Sequence, residues 1–180
     1  MCGMNSQKLI DRGCNPFMTN KELVLNVHRD MGRNDALNLA QRANNMTPTQ
    51  VIEEETKVPM FVWGTDYSKC PVGSPIAEVV DGEVQIFKML TPVNTAHYPN
   101  ITPNTERSLY GLCHTTNPKK AKAWVAPLGV SGLYVKGECC TEGGHVYQSK
   151  IDDNSWSPSG YPDGWTDLGT VEEVQQHATA

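Results

Sequence analysis

GLYVKGECCTEGGHVYQSKIDDNSWSPSGYPDGWTDLG, residues 132–169, sets the large aromatics Tyr134, Tyr147, Trp156, Tyr161 and Trp165 into a short span broken by glycine and proline. From Tyr134 apolar and polar residues alternate. The chain turns at Gly143-Gly144, and the alternation resumes through Val146 and Tyr147 to Lys150, which is the pattern of a β-hairpin. A loop with Asn154, Trp156, Pro158, Tyr161 and Pro162 follows, and Gly164-Trp165 opens a last short strand. So short a segment buries little surface, and its rings must supply most of its core. Trp165 and Tyr134 are assigned to that core. Trp156 lies where a buried role is hard to arrange and is read as an exposed platform. Tyr161, between Gly160 and Pro162, is a comparable candidate, and Tyr147 alternates with Val146 and faces either way.

The spacing resembles the short chitin-binding type of carbohydrate-binding module found as an accessory domain of bacterial chitinases and cellulases. The shared features are Tyr134, Gly137-Glu138, the hairpin Gly144 to Tyr147, the loop Asn154 to Pro158, and the closing Trp165. Members of that family place adjacent exposed aromatics directly after the second hairpin strand, and here Ile151-Asp152-Asp153 stand instead. The ligand contact implied by the resemblance therefore shifts to Trp156 and Tyr161. Flat rings stack on the C–H faces of pyranose units, and polar groups fix the hydroxyls. Asp152, Asp153 and Asn154 are candidates for that second role, against the alternative of a turn that caps itself.

A weaker copy of the pattern lies upstream. Gly82 to Lys88 set over Gly144 to Lys150 matches Gly, Val, an aromatic one place shifted, and Lys. The loop after it carries Asn94, Tyr98, Pro99 and Pro103, and the segment ends at Leu109-Tyr110, which is compatible with a tandem pair of modules. Residues 60–113 are thus read as a degenerate first β module and 133–169 as the second. Residues 114–132, with Asn117-Pro118, Pro127, Gly129 and Gly132, are a linker in which Trp124 packs between modules.

Ahead of the β modules, 18–59 reads as helical. Thr19 with Glu22 forms a capping box, Leu23, Val24 and Val27 make an apolar face, and Gly32 ends the run. Asn34 caps a second helix bearing Leu37, Leu39, Ala40 and Ala43, and Thr47-Pro48-Thr49-Gln50 starts a third. Three short helices are marginal alone, so their apolar faces are expected to dock on a partner or on another copy of the chain. Residues 1–17 read as a disordered leader without a secretory signal, and 170–180 as a polar tail that frays after one helical turn. The expected class is α+β, a short N-terminal helical segment followed by one or two small all-β modules.

Charge and cysteine spacing exclude several functions. A formal net charge of −5 argues against nucleic acid as main partner, because phosphate binding relies on clustered Lys and Arg. The one basic run, Lys119-Lys120-Ala121-Lys122, reads as solvated linker. No stretch is apolar enough for a membrane span. The cysteines include no CxxC pair, so neither a zinc site nor any other metal or cofactor is expected. Cys113-His114 reads as a strand with a buried thiol, Cys70 with Cys113 is the pairing to examine in an oxidising medium, and His28, His97, His145 and His177 read as surface residues. A glycosidase needs two carboxylates across a cleft, for which Glu138 with Asp152 or Asp153 is the only proposal, and a module this small offers no deep cleft. No enzymatic activity is expected.

The helical start, with LAQRANNMTPTQVIEEETKVPMF (39–61) and GLCHTTNPKKAKAWVAPLGVSGLYVKGECC (111–140), resembles small proteins encoded among the tail genes of phages and prophages of gut Firmicutes. That resemblance implies a virion component made in the bacterial cytoplasm, fixed to other virion proteins by its helical part, homo-oligomeric, with β modules facing a cell-surface glycan. The expected binding residues are Trp156, Tyr161, Tyr147, Asn154 and Asp153. The alternative is a structural particle protein whose β modules make protein contacts only. A less favoured one is an accessory module of a cell-wall glycosidase.

Overall fold

The computed structural model describes residues 19–176. The expected leader, with Cys2 and Cys14, and the chain end with His177 lie outside the described residues. Thr19 starts the first helix among the described residues by the reciprocal bonds its spacing predicts. Its hydroxyl accepts the Glu22 N–H at 3.2 Å, and the Glu22 carboxylate accepts the Thr19 N–H at 2.8 Å. Helix α1 then runs Asn20–Arg42 without a break, where two helices had been expected. Gly32 does not end it, because it does not take the left-handed conformation that a terminating glycine adopts. A glycine inside a helix costs only about 1 kcal/mol relative to alanine, less than breaking the ladder of backbone bonds. After a 3-10 turn, Ala43–Asn45, helix α2 spans Pro48–Glu53 and is capped reciprocally by Thr47 and Gln50.

Two small sheets follow, so the fold is α+β. The first is an antiparallel meander of β1 (Pro75–Val80), β2 (Glu83–Met89) and β3 (Tyr110–Leu112). The second orders β4 (Lys122–Ala123), β5 (Cys139–Glu142), β6 (His145–Ser149) and β7 (Trp165–Thr170), with only β4 and β5 parallel. Each hairpin closes with a two-residue turn of left-handed residues, Asp81-Gly82 (φ 52° and 87°) and Gly143-Gly144 (φ 58° and 83°). Such turns match the right-handed twist of paired strands.

The alternation of β1 and β2 buries both faces of the first sheet. Ala77 and Ile86 point to one side, where they meet Leu39, Ala43, Val51, Ile52 and Cys113. Ile76 and Phe87 point to the other, with Met89 and Tyr110. The end of α1 and the apolar face of α2 thus dock on the chain's own sheet, where docking on a partner or on another copy of the chain was expected. Lys88 reinforces the contact by donating from Nζ to the Met46 carbonyl at 2.5 Å. The part of α1 nearer its start leaves Val24, Leu25, Val27 and Met31 exposed.

Residues 114–132 carry structure that a linker would lack. They supply edge strand β4, the Thr115–Cys139 bridge, and the Ala123 carbonyl that accepts from Gln85 Nε2 at 2.9 Å and ties the sheets together. Trp124 packs against Tyr134, Cys140 and Trp165, and Val125 against the first sheet's cluster. The basic run is not freely solvated, since Lys120 and Lys122 both pair with Glu55. The tail is also bound: α3 (Val171–Gln176) seats Val174 beside Cys139 and Val146, and Gln175 donates to the Lys119 carbonyl at 2.8 Å. Cys70 and Cys113 do not pair. Both are free, as are Cys139 and Cys140, which β5 directs to opposite faces.

The two sheets repeat one backbone hydrogen-bond plan. Phe61 N–H donates to the Ala77 carbonyl as Trp124 N–H does to that of Thr141. Gly73 N–H donates to the Met89 carbonyl and Met89 N–H to that of Ser74, as Gly137 N–H does to the Ser149 carbonyl and Ser149 N–H to that of Glu138. Leu90 N–H donates to the Leu109 carbonyl as Lys150 N–H does to that of Gly164. Tyr110 then opens β3 where Trp165 opens β7. The match of Gly82 with Gly144 holds at the turns. Between the turn and these basal bonds, the first hairpin pairs Pro75 to Val80 with Glu83 to Lys88, the second only Cys139 to Glu142 with His145 to Gln148.

Candidate carbohydrate-binding surface

The loop between β6 and β7 is organised by Asn154, which is 1% exposed. Its main chain pairs in both directions with Tyr134, at 3.0 and 2.9 Å. Its side-chain amide donates to Ser149 Oγ at 3.1 Å and to the Gly164 carbonyl at 3.4 Å, while Oδ1 accepts the Trp156 N–H at 3.2 Å. A buried polar group is stable only with such partners. Asn154 is therefore corrected from a hydroxyl contact to the scaffold of the loop, since its side chain leaves nothing for a glycan to reach.

Trp156 stands outside this scaffold with 61% of its surface exposed, and Tyr161 with 42%. The main chain of both is held in place. The Trp156 carbonyl accepts from the buried Trp165 indole at 3.1 Å, and Tyr161 N–H donates to the Ser157 carbonyl at 3.0 Å. Ser159 N–H donates to Glu142 Oε2 at 2.7 Å, which fastens the loop to the end of β5. Gly164 makes room for the Tyr161 ring, because a Cβ there would lie 2.7 Å from Tyr161 Cδ1. One part of the phenol ring thus covers backbone and the rest faces out.

Tyr147, half-buried on β6, lies beside a cleft of about 320 Å³ lined also by Pro158, Ser159, Pro162, Trp165 and Asp167. That volume is at the lower end of small-ligand sites, about 300–1,000 Å³. The cleft has an aromatic wall, a phenol, a hydroxyl and a carboxylate. Asp167 is kept below the usual carboxylate range by the Gly169 N–H and then by His145, whose Nδ1 is 3.0 Å away. Tyr147 is the Cα partner of Asp167 in the β6–β7 register. Ser159 and Asp167 were not singled out from sequence. Asp167 was legible by period two, since it follows Trp165 on the same strand at an alternate position.

The acidic turn divides its roles. Asp152 Oδ1 accepts the Lys136 N–H at 2.9 Å, so it caps the neighbouring turn. Asp153 is exposed and left-handed, with φ 52°. Glu138 accepts the Val135 N–H at 2.9 Å, and burial raises its carboxyl above the usual range. Glu138 and Asp152, considered as a catalytic pair, thus both hold backbone of one turn. His114 is buried against Tyr134, ring centroids 3.6 Å apart, with Nε2 3.0 Å from the Gly132 carbonyl. Tyr134 and Trp165 are core residues as expected, in edge-to-face contact at 5.2 Å.

Among the described residues no three His, Cys, Asp or Glu side chains converge to hold a metal ion, and no helix is long and apolar enough to cross a membrane. A scan against protein-family models matches none of them, and a search of curated proteins finds no match to this chain.

Proposed function

We propose that the chain is a carbohydrate-binding adhesion protein of a phage or prophage particle, which binds a cell-surface glycan through the β6–β7 loop without catalysing a reaction. The observation that carries the reading is the exposed indole of Trp156 on a loop tied down on both sides of it. With the backbone fixed before binding, only the two side-chain torsions of the indole have to be ordered when a pyranose stacks on it. Tyr161 on the same loop offers a second exposed ring, and Tyr147, Ser159 and Asp167 in the neighbouring cleft offer groups that bond hydroxyls. The particle setting rests on the resemblance of residues 39–61 and 111–140 to phage tail-region proteins. The exposed apolar start of α1 is suited to contact with other virion proteins or with further copies of the chain. Several copies on one particle turn weak single contacts into avid attachment.

A second reading, a structural particle protein, draws on a different feature. An apolar cleft of about 660 Å³ lies between the β3 edge of the first sheet and the turn at 128–132, where Leu90, Leu112, Leu128 and Val130 are among its lining residues. Such a surface suits protein contact. The two readings separate on Trp156→Ala. Under the adhesion reading, retention on isolated host wall polysaccharide falls about tenfold or more, equivalent to about 1.4 kcal/mol, with an unchanged melting temperature. Retention equal to that of the unaltered protein removes the assignment. A glycan array probed with the assembled protein then identifies the sugar.

A further inference from the structure

The first sheet has its own version of the loop that carries Trp156. Asn94 stands in an antiparallel bridge with Asp66, made through the bonds of their neighbours (Tyr67 N–H to the Val93 carbonyl, Thr95 N–H to that of Thr65), where Asn154 bonds Tyr134 directly; and Asn94 Oδ1 accepts the Ala96 N–H at 3.0 Å, as Asn154 Oδ1 accepts that of Trp156. Ala96 thus stands where the second module has its exposed indole. An indole nevertheless reaches this loop from another part of the chain. Trp63 lies in the turn before Asp66, and its Nε1 donates to the Tyr98 carbonyl at 3.2 Å. Trp63 is 54% exposed and Tyr98 is 47% exposed.

Scattered surface hydrophobics are ordinary in proteins. This pair differs in how firmly it is held. The turn bearing Trp63 is pinned by Tyr67, whose hydroxyl accepts the Val62 N–H at 2.9 Å and donates to the Val62 carbonyl at 3.2 Å. The turn and the Asn94 loop are stapled where the Thr65 carbonyl accepts both the N–H and the hydroxyl of Thr95, at 3.1 and 2.8 Å. The indole's only polar atom is already satisfied, so what it offers outward is apolar ring surface at a fixed angle. Phe61 and Tyr110, the counterparts of Trp124 and Trp165, pack edge to face inside the module, 6.2 Å apart. Each module thus keeps a ring pair inside and an indole exposed, the exposed indole coming from a different segment in each.

We infer that Trp63 and Tyr98 form a second carbohydrate platform, which stacks on pyranose units of the same polysaccharide that the β6–β7 loop takes. The inference rests on the carbohydrate reading proposed above. It adds that each chain is bivalent. Two weak sites on one rigid chain raise attachment to a polymer well beyond attachment to a short oligosaccharide.

The test reads each indole separately. Uniformly 15N-labelled protein is titrated with N-acetylglucosamine hexamer and with solubilised wall glycan strands, and the indole N–H resonances of Trp63 and Trp156 are assigned with Trp63→Phe and Trp156→Phe. Both resonances are expected to shift saturably, and the Trp63 response is expected to persist in Trp156→Ala. Retention on insoluble wall polysaccharide is expected to fall about tenfold in Trp63→Ala or Trp156→Ala and to vanish in the double variant. A Trp156 response with a silent Trp63 overturns the second platform and leaves the first reading standing. Silence of both overturns both. If Trp63→Ala lowers incorporation into particles while Trp63 ignores every sugar, the surface is a protein contact and the inference fails. The titration uses unaltered protein, so its outcome stands even if Trp63→Ala does not fold.

Discussion

The indole N–H of Trp165, a buried residue, donates to the backbone carbonyl of Trp156, an exposed one, across 3.1 Å. Core packing of the second module is thereby coupled to the placement of its outermost ring. Trp165→Phe keeps an aromatic in the core and removes this donor. The expected result is a loss of about 1 kcal/mol in denaturant unfolding together with weaker glycan retention. Retention equal to that of the unaltered protein would show that the loop keeps its geometry without the bond.

Asn154→Ala is expected to be costlier. It removes the acceptor of the Trp156 N–H and the amide that donates to Ser149 Oγ and the Gly164 carbonyl, while Ser149 Oγ keeps its bond to the Ile151 carbonyl and the Gly164 carbonyl keeps that from the Lys150 N–H. A loss of about 1–3 kcal/mol is expected from urea titration. Asn154→Asp separates the parts, since it still accepts from Trp156 and cannot donate to Ser149 or Gly164. Its stability should lie between those of the alanine variant and the unaltered protein.

His114 makes stability depend on pH. Burial, and then the nearby Arg107 charge, outweigh the hydrogen bond to Gly132 and lower its pKa from 6.5 to about 4. Between these values the unfolded chain binds a proton that the folded chain refuses, so stability is full above about pH 6.5 and falls as pH drops towards 4. The loss from this group is on the order of 3 kcal/mol. His114→Gln should be less stable at pH 7.5 and show a flatter dependence from pH 6.5 to 4. An equally steep decline in the variant would assign the acid sensitivity to other groups.

Gly73 tests the docking of the helical part on the first sheet. It is left-handed at φ 83°, and a Cβ there would lie 2.8 Å from the Cα of Asn44, just beyond the end of α1. Backbone cannot move aside as a flexible side chain can. Gly73→Ala is expected to lower the melting temperature by about 5–10 °C, whereas Gly82→Ala, at a left-handed turn open to solvent, should lower it less.

Local chemistry made much of the fold legible. Thr19 and Thr47 start helices because their hydroxyls reach the third N–H onward, and Gly143-Gly144 turns because left-handed backbone is cheap for glycine. Alternation placed Tyr134 and Trp165 in the core. The binding loop was legible in part. Trp156 and Tyr161 face outward as their proline- and glycine-rich setting suggests, while Asn154 gives no local sign of being enclosed. Its burial comes from pairing with Tyr134, twenty residues earlier in the chain.

By itself the sequence determined the helix starts at Thr19 and Thr47, the hairpin turns, the class of fold and the rings available for stacking, because each of these depends on dihedral preference or on spacing within a few residues. Only the tertiary structure decided that α1 continues through Gly32, that residues 114–132 form an edge strand and a joint, and that Trp63 reaches the loop of Tyr98. Those outcomes depend on contacts between segments far apart in the chain. There, burial and the satisfaction of buried hydrogen bonds outweigh the weak local preferences that a linear reading can detect.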